Sequence, residues 1–160
     1  MSNPTKPDLS GIHLWLVLWK AARTIEALAM QSIARFEVGL TDFAVLEVLL
    51  HKGPLTVKQI GEKVLLTSGS MTTAVDRLEA KGLVVRGNDA KDRRARIISL
   101  TPTGRQLIER AFAEHREAME QNVAGFSEED RAVLIPLLKQ LGRTGEKNFI
   151  NAAATSNPAA

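Results

Sequence analysis

Cysteine is absent from this chain of 160 residues, and aromatic residues make up only 4% of it. Without thiols there can be no disulfide scaffold, thiolate metal site, or thiol-based redox sensing or catalysis. The absence also fits a cytoplasmic setting. Long apolar runs are missing too. The longest nearly apolar stretch, Ile12 to Trp19, is eight residues and is interrupted by His13. A membrane-spanning helix needs roughly 20, so no membrane partner is expected. The same stretch could pass for a signal-peptide core. However, Asp8 precedes it, Lys20 and Arg23 follow it, and Ala21-Ala22 continues into a helical pattern, so secretion is not expected. What the chain does have is 44% apolar and 24% charged residues. That suffices for one globular domain with a core and excludes wholesale disorder.

The formal net charge of +3 is modest, but it is unevenly placed. Residues 86–100 alone carry a net +3, whereas residues 1–52 are neutral and residues 101–130 carry a net −4. This is a local cationic spot rather than a diffuse field, and local cationic density is what phosphate recognition uses.

Helix start signals divide the chain clearly. Residues 1–9 and 149–160 lack apolar periodicity and read as disordered tails. Ser10 opens a helix with Ile12, Trp15, Leu16 and Trp19 on one stripe, running through Ile25, Leu28 and Ile33 towards Phe36, and Gly39 breaks it. Thr41 is expected to cap a second helix carrying Phe43, Leu46 and Leu50, which ends near Gly53-Pro54. Thr56 and Gln59 form a capping box that starts a short third helix. Thr67-Ser68-Gly69-Ser70 opens a fourth, with Met71, Val75 and Leu78, stopped by Gly82. Two short aliphatic stretches, 83–86 and 96–100, flank a polar tip and predict a hairpin. Thr101-Pro102 starts a fifth helix. Ser127 caps a sixth that bears Leu134, Leu137, Leu138 and Leu141, and Pro136 is expected to kink it.

Three central helices followed by a hairpin describe a winged helix-turn-helix over residues 40–101. The outer segments, 10–38 and 102–148, then form a helical dimerisation region. The expected fold is therefore mainly α with a small β-hairpin wing. In a helix-turn-helix the N-terminal end of the second helix meets base edges in the major groove. Here that end offers Ser68, Ser70, Thr72 and Thr73 as short donors and acceptors, and Met71 as an apolar group for a thymine methyl. Arg77, one turn on, can reach the backbone or a guanine. The hairpin tip carries Lys91, Asp92, Arg93, Arg94 and Arg96. Arginines on a protruding loop can enter a minor groove, and Asp92 can pair with one of them and fix its rotamer. Thr56 and Lys58 are weaker candidates for the DNA backbone.

The segments Leu66 to Thr72, Asp76 to Leu83, and Asp92-Arg93-Arg94 through Leu100-Thr101 resemble the multiple-antibiotic-resistance regulator (MarR) family over about residues 10–148. The resemblance implies a homodimer of interlocking terminal helices with two wings on a palindromic operator. It further implies repression, often relieved by a small anionic or phenolic ligand. It places Asp92 as the wing aspartate and Arg94 as the minor-groove arginine, and it puts Ser68 to Thr73 and Arg77 on the DNA-reading face. The cysteine-dependent, peroxide-sensing branch of the family is excluded. Independently of the resemblance, Trp15 and Trp19 with Leu134 to Leu141 are too apolar for an exposed monomer surface.

Weaker signals remain. His13, Trp15 and Trp19 either line a pocket for a small aromatic or anionic effector or fill the dimer core. His115, on an apolar helix face, reads as a hydrogen-bonded core residue. No histidine lies three or four residues from another, so no metal is expected, nor any cofactor. No nucleophile–base spacing or paired catalytic carboxylates suggest an enzyme. A winged-helix protein-interaction module without specific DNA binding remains the alternative.

Overall fold

The computed structural model describes residues 8–64, 68–88 and 96–155. The chain divides into two units, residues 1–121 and 122–160. The first contains α1 (Gly11–Ile33), a short 3-10 turn (Ala34–Phe36), α2 (Leu40–Lys52), β1 (Leu55–Thr56), α3 (Val57–Val64) and α4 (Ser68–Ala80). It continues with β2 (Val84–Asn88), β3 (Arg96–Leu100) and α5 (Pro102–Asn122), which ends at the unit boundary. The second unit holds α6 (Glu128–Thr155).

Most starts follow the capping chemistry of the sequence. The Ser10 hydroxyl accepts the His13 N–H at 3.2 Å. The Thr56 hydroxyl accepts the Gln59 N–H, and Gln59 Oε1 accepts the Thr56 N–H at 2.9 Å. Thr101 receives the Gly104 N–H at 3.0 Å. Ser127 and Asp130 cap each other reciprocally at α6. Helix α2 is the exception. Its N-cap is Gly39, not Thr41, and the Gly39 carbonyl accepts the Phe43 N–H at 2.9 Å with no side chain involved. Thr41 lies one residue inside the helix, so its hydroxyl is not the cap.

Two further corrections concern extent. The wing is not a bare hairpin: β1 adds a third strand, giving the antiparallel order β1-β3-β2 with Leu55 opposite Ile98. At two residues β1 is too short to show an alternation. At the other end, α6 runs unbroken through Pro136 to Thr155, past residue 148 where the apolar stripe fades. The alanines at 152–154 are among the strongest helix formers and favour its continuation.

The core of the first unit gathers Phe43, Leu46 and Leu49 of α2, Ile60 of α3, and Met71, Val75 and Leu78 of α4. Val84, Ile98, Ile33 of α1 and Ile108 of α5 complete it. His115 of α5 is half-buried at its margin, bonded to the Ser32 hydroxyl at 2.9 Å and tilted against Phe43.

The join between α4, the wing and α5 is tight. Gly82 adopts φ +67° and the Leu83 N–H returns to the Leu78 carbonyl, closing α4 with a left-handed residue that glycine adopts without strain. The Leu83 carbonyl then accepts the Thr101 N–H, and the Thr101 hydroxyl donates to the Gly82 carbonyl at 2.7 Å. A Cβ at Gly104 would overlap the Leu83 carbonyl group. The sheet and α4 are thus fixed to one turn.

Candidate nucleic-acid interface

Helix α4 separates into two faces. Met71, Ala74, Val75 and Leu78, at the 3–4–7 spacing of a single helical stripe, are all fully buried. Ser70, Thr72 and Thr73 stand exposed on the opposite side. Ser68 begins the helix, and Thr67 lies outside the described residues. One expectation changes here. Met71 has no exposed surface and cannot meet a thymine methyl. Its register with Val75 and Leu78 marks it as a core residue.

Arg77, expected to reach DNA, is paired within the chain while its side chain stays about half-exposed. Its Nε donates to Asp42 Oδ2 at 2.9 Å and its Nη2 to Oδ1 at 2.5 Å. Asp42, on the first turn of α2, is only 2% exposed. A carboxylate removed from water requires a charged, hydrogen-bonded partner, and Arg77 supplies it. Those hydrogen bonds, followed by the direct attraction of the Asp42 charge, raise the Arg77 pKa above its already high ordinary value.

Sequence reasoning missed Arg86 on β2. Its guanidinium contacts the carboxylates of both Asp76 and Glu79 on α4, and its backbone N–H donates to Glu79 Oε1 at 3.2 Å. Desolvation works against the Arg86 charge, but the hydrogen bonds to Asp76 and Glu79 outweigh it and the pKa rises. The spacing of two acids three residues apart, just before a strand with one arginine, was the available signal. Lys81 also anchors α4, donating to the Glu37 carbonyl at 2.6 Å.

In the wing, Lys91, Asp92, Arg93 and Arg94 lie outside the described residues. Arg96 is exposed at the start of β3 and donates to Asn88 Oδ1 across the hairpin at 2.6 Å. At the start of α3, Thr56 is half-buried with its oxygen used in the capping box, and Lys58 is exposed.

On α1, Ile12, Trp15, Leu16 and Trp19 are exposed. Trp15 and Trp19 stack with centroids 6.2 Å apart, and the Arg23 guanidinium lies 5.3 Å over the Trp19 ring. His13 sits 3.9 Å from the Asp8 carboxylate. These side chains form an open shelf on the single chain, not an enclosed pocket. On α6, considered by itself, Leu134, Leu137, Leu138 and Leu141 are likewise exposed. Among the described residues, no helix is long and apolar enough to cross a membrane, and no group of three or more acidic or histidine side chains could hold a metal.

A short capped helix, a second helix with one polar exposed face, and a three-stranded sheet whose hairpin carries a basic sequence define a winged helix-turn-helix. The chain belongs to the MarR family of transcription regulators, whose family model matches residues 37–95. It is 37% identical over 141 residues to the HTH-type transcriptional regulator MhqR of Bacillus subtilis, an alignment covering 88% of this chain and 97% of that one. Two solved structures share the fold. A mutant MarR from E. coli, complexed with operator DNA, has a TM-score of 0.75 at 21% identity, covering 84% of this chain and 99% of that one. BpsR of Bordetella bronchiseptica, whose DNA binding is regulated by 6-hydroxynicotinic acid, has a TM-score of 0.74 at 23% identity, covering 88% and 98%.

Proposed function

We propose that this protein is a cytoplasmic, homodimeric, sequence-specific repressor that binds a palindromic operator near its own gene and responds to a small ligand, without enzymatic activity. The observation that carries the reading is the division of α4, whose apolar stripe is wholly buried while Ser70, Thr72 and Thr73 face outward. In this reading Ser68, Ser70, Thr72 and Thr73 address base edges in the major groove. Arg94 enters the minor groove, Lys91, Arg93 and Arg96 add positive charge, and Asp92 pairs with one of the arginines. Thr56 and Lys58 lie towards the phosphates.

Dimerisation uses the exposed apolar side chains of α1 and α6, and two-fold symmetry spaces the two recognition helices at roughly 34 Å. As the alternative to a place in the dimer interface, the stacked tryptophans with Arg23 above Trp19 would receive a flat aromatic or anionic effector beside His13. Such a ring gains stacking from the indoles and charge attraction from the guanidinium. The operator complex of the E. coli relative and the hydroxynicotinate response of BpsR support a DNA-binding, ligand-responsive reading.

The test is a salt series of binding to the DNA upstream of the gene against a scrambled duplex. A steep slope with at least about a hundredfold preference for one palindromic segment is expected. Arg94→Ala should then cost about 1–3 kcal/mol of specific binding. An Arg94→Ala chain that binds within about twofold of the parent would remove the wing assignment. Absence of binding at low salt would favour a protein-interaction module.

A further inference from the structure

Helix α4 is ion-paired to two other elements. Arg77 binds Asp42 on α2, while Asp76 and Glu79 hold Arg86 on β2, the strand leading to the wing tip. On the α2 side, both Asp42 oxygens meet the guanidinium fork, which fixes distance and rotation together. Asp42 is buried and cannot itself reach DNA. On the wing side, Arg86 is bound through its backbone N–H as well as its side chain.

The apolar stripe of α4 seats the helix in the core through non-directional burial, so small rolls about its axis are resisted by the directional ion pairs on its flanks. With a radius of about 5–6 Å including side chains, a roll of about 15° moves a side-chain tip by about 1.5 Å. That displacement is enough to break a hydrogen bond to a base edge.

We infer that Asp42 and Arg86 are positioning residues for DNA reading: acting through Arg77 and through Asp76 and Glu79, they brace α4 from two sides and set its roll and its angle to the wing. The inference rests on the DNA-reading role proposed above.

The experiment compares the full chain with Asp42→Asn and Arg86→Lys, each first shown to be folded by thermal melting. Without DNA, amide exchange in α4 should accelerate about tenfold or more in both variants, while the core amides of α5 keep their protection. With DNA, affinity for the specific duplex should fall about tenfold or more, that for the scrambled duplex should stay within about twofold, and the salt slope should not change. Arg86→Lys is the sharper arm, because lysine keeps the charge a phosphate contact needs but cannot span two carboxylates.

Folded variants that discriminate the two duplexes as well as the parent does would overturn the inference. So would a fall in salt slope with equal loss on both duplexes, which marks a phosphate contact. If Asp42→Asn does not fold, Arg77→Lys takes its place, since it retains the charge and loses the fork. A parent chain without preference between duplexes would remove the DNA-reading role and the inference with it. A discriminating parent with equally discriminating variants would remove the inference alone.

Discussion

Helix α2 and the first half of α1 are built from similar residues and treated in opposite ways. In α2 the apolar side chains Phe43, Val45, Leu46 and Leu49 are all buried, because α3, α4, β3 and the end of α1 surround them. In α1 burial begins only at Ala29, and Trp15 and Trp19 keep 57% and 46% of their surface. Taken by itself, α6 repeats the second behaviour, with Leu137 56% exposed. Apolar content alone therefore does not tell where a core lies; the neighbours supplied by one chain do. Exposed apolar surface on the scale seen on α1 alone is unusual for a monomer, and the dimer proposed above rests on it.

The strongest way to break this comparison is to charge the uncovered helices. Trp15→Asp or Leu137→Asp should convert a dimer into monomers in sedimentation. Each lost apolar side chain removes about 1.5–3 kcal/mol of burial, and the two-fold axis applies the loss twice, so the expected effect is about 3–6 kcal/mol of association energy. A variant that sediments like the parent would mean that these faces are not the interface. Next in size is Leu46→Ala in the completed core, which should lower the unfolding free energy by about 2–5 kcal/mol in denaturant titration. Leu14→Ala, at a half-exposed site on α1, sharpens the contrast. Its cost should grow with protein concentration if a partner covers α1 and stay near zero at every concentration if solvent does.

Much of this organisation was legible beforehand because it is written in local chemistry. Ser10, the Thr56–Gln59 box, Thr101-Pro102 and Ser127 each satisfy backbone donors within three residues, so a reader of the sequence can place them without the fold. Gly39 was not legible as a cap because it has no side chain to satisfy the first-turn N–H groups, and only its extended backbone marks the start of α2. Strand β1 was not legible because its two residues become a strand only by pairing with Ile97 and Ile98, more than 40 positions away. The site divided along the same line. The buried face of α4 follows from its spacing, and Met71 should have been assigned to it. The partners of Arg77 and Arg86 are long-range in one case and cross an element boundary in the other. Charge on an exposed helix could not say whether an arginine faces a phosphate or a buried aspartate.

Smaller effects test the joints between the two kinds of region. Thr101→Ala removes the acceptor for the Gly104 N–H and the donor to the Gly82 carbonyl, and about 1 kcal/mol of stability should go with it. The denaturation midpoint should shift without a change in slope, because capping alters stability and not the surface exposed on unfolding. A changed slope would instead indicate that the turn between α4 and the wing has opened in the native state.

The weakest expected effect lies at the very start of α1, where the chain is most exposed. The Ser10 backbone N–H donates to the Asp8 carboxylate at 2.9 Å, and this bond, with a further one from the Ser10 side chain, holds the Asp8 pKa below its ordinary value. Because the folded pKa is the lower one, the contribution is present above about pH 4 and is lost as the pH falls through the folded value. Lowering the pH should therefore fray the first turn of α1 before it touches α2. An NMR titration would read this directly: the Ser10 amide shift should follow a midpoint below that of an unperturbed aspartate, and Asp8→Asn should abolish the titration. A midpoint at the ordinary value would mean that the Asp8–Ser10 bond does not persist in solution and that α1 starts on Ser10 alone.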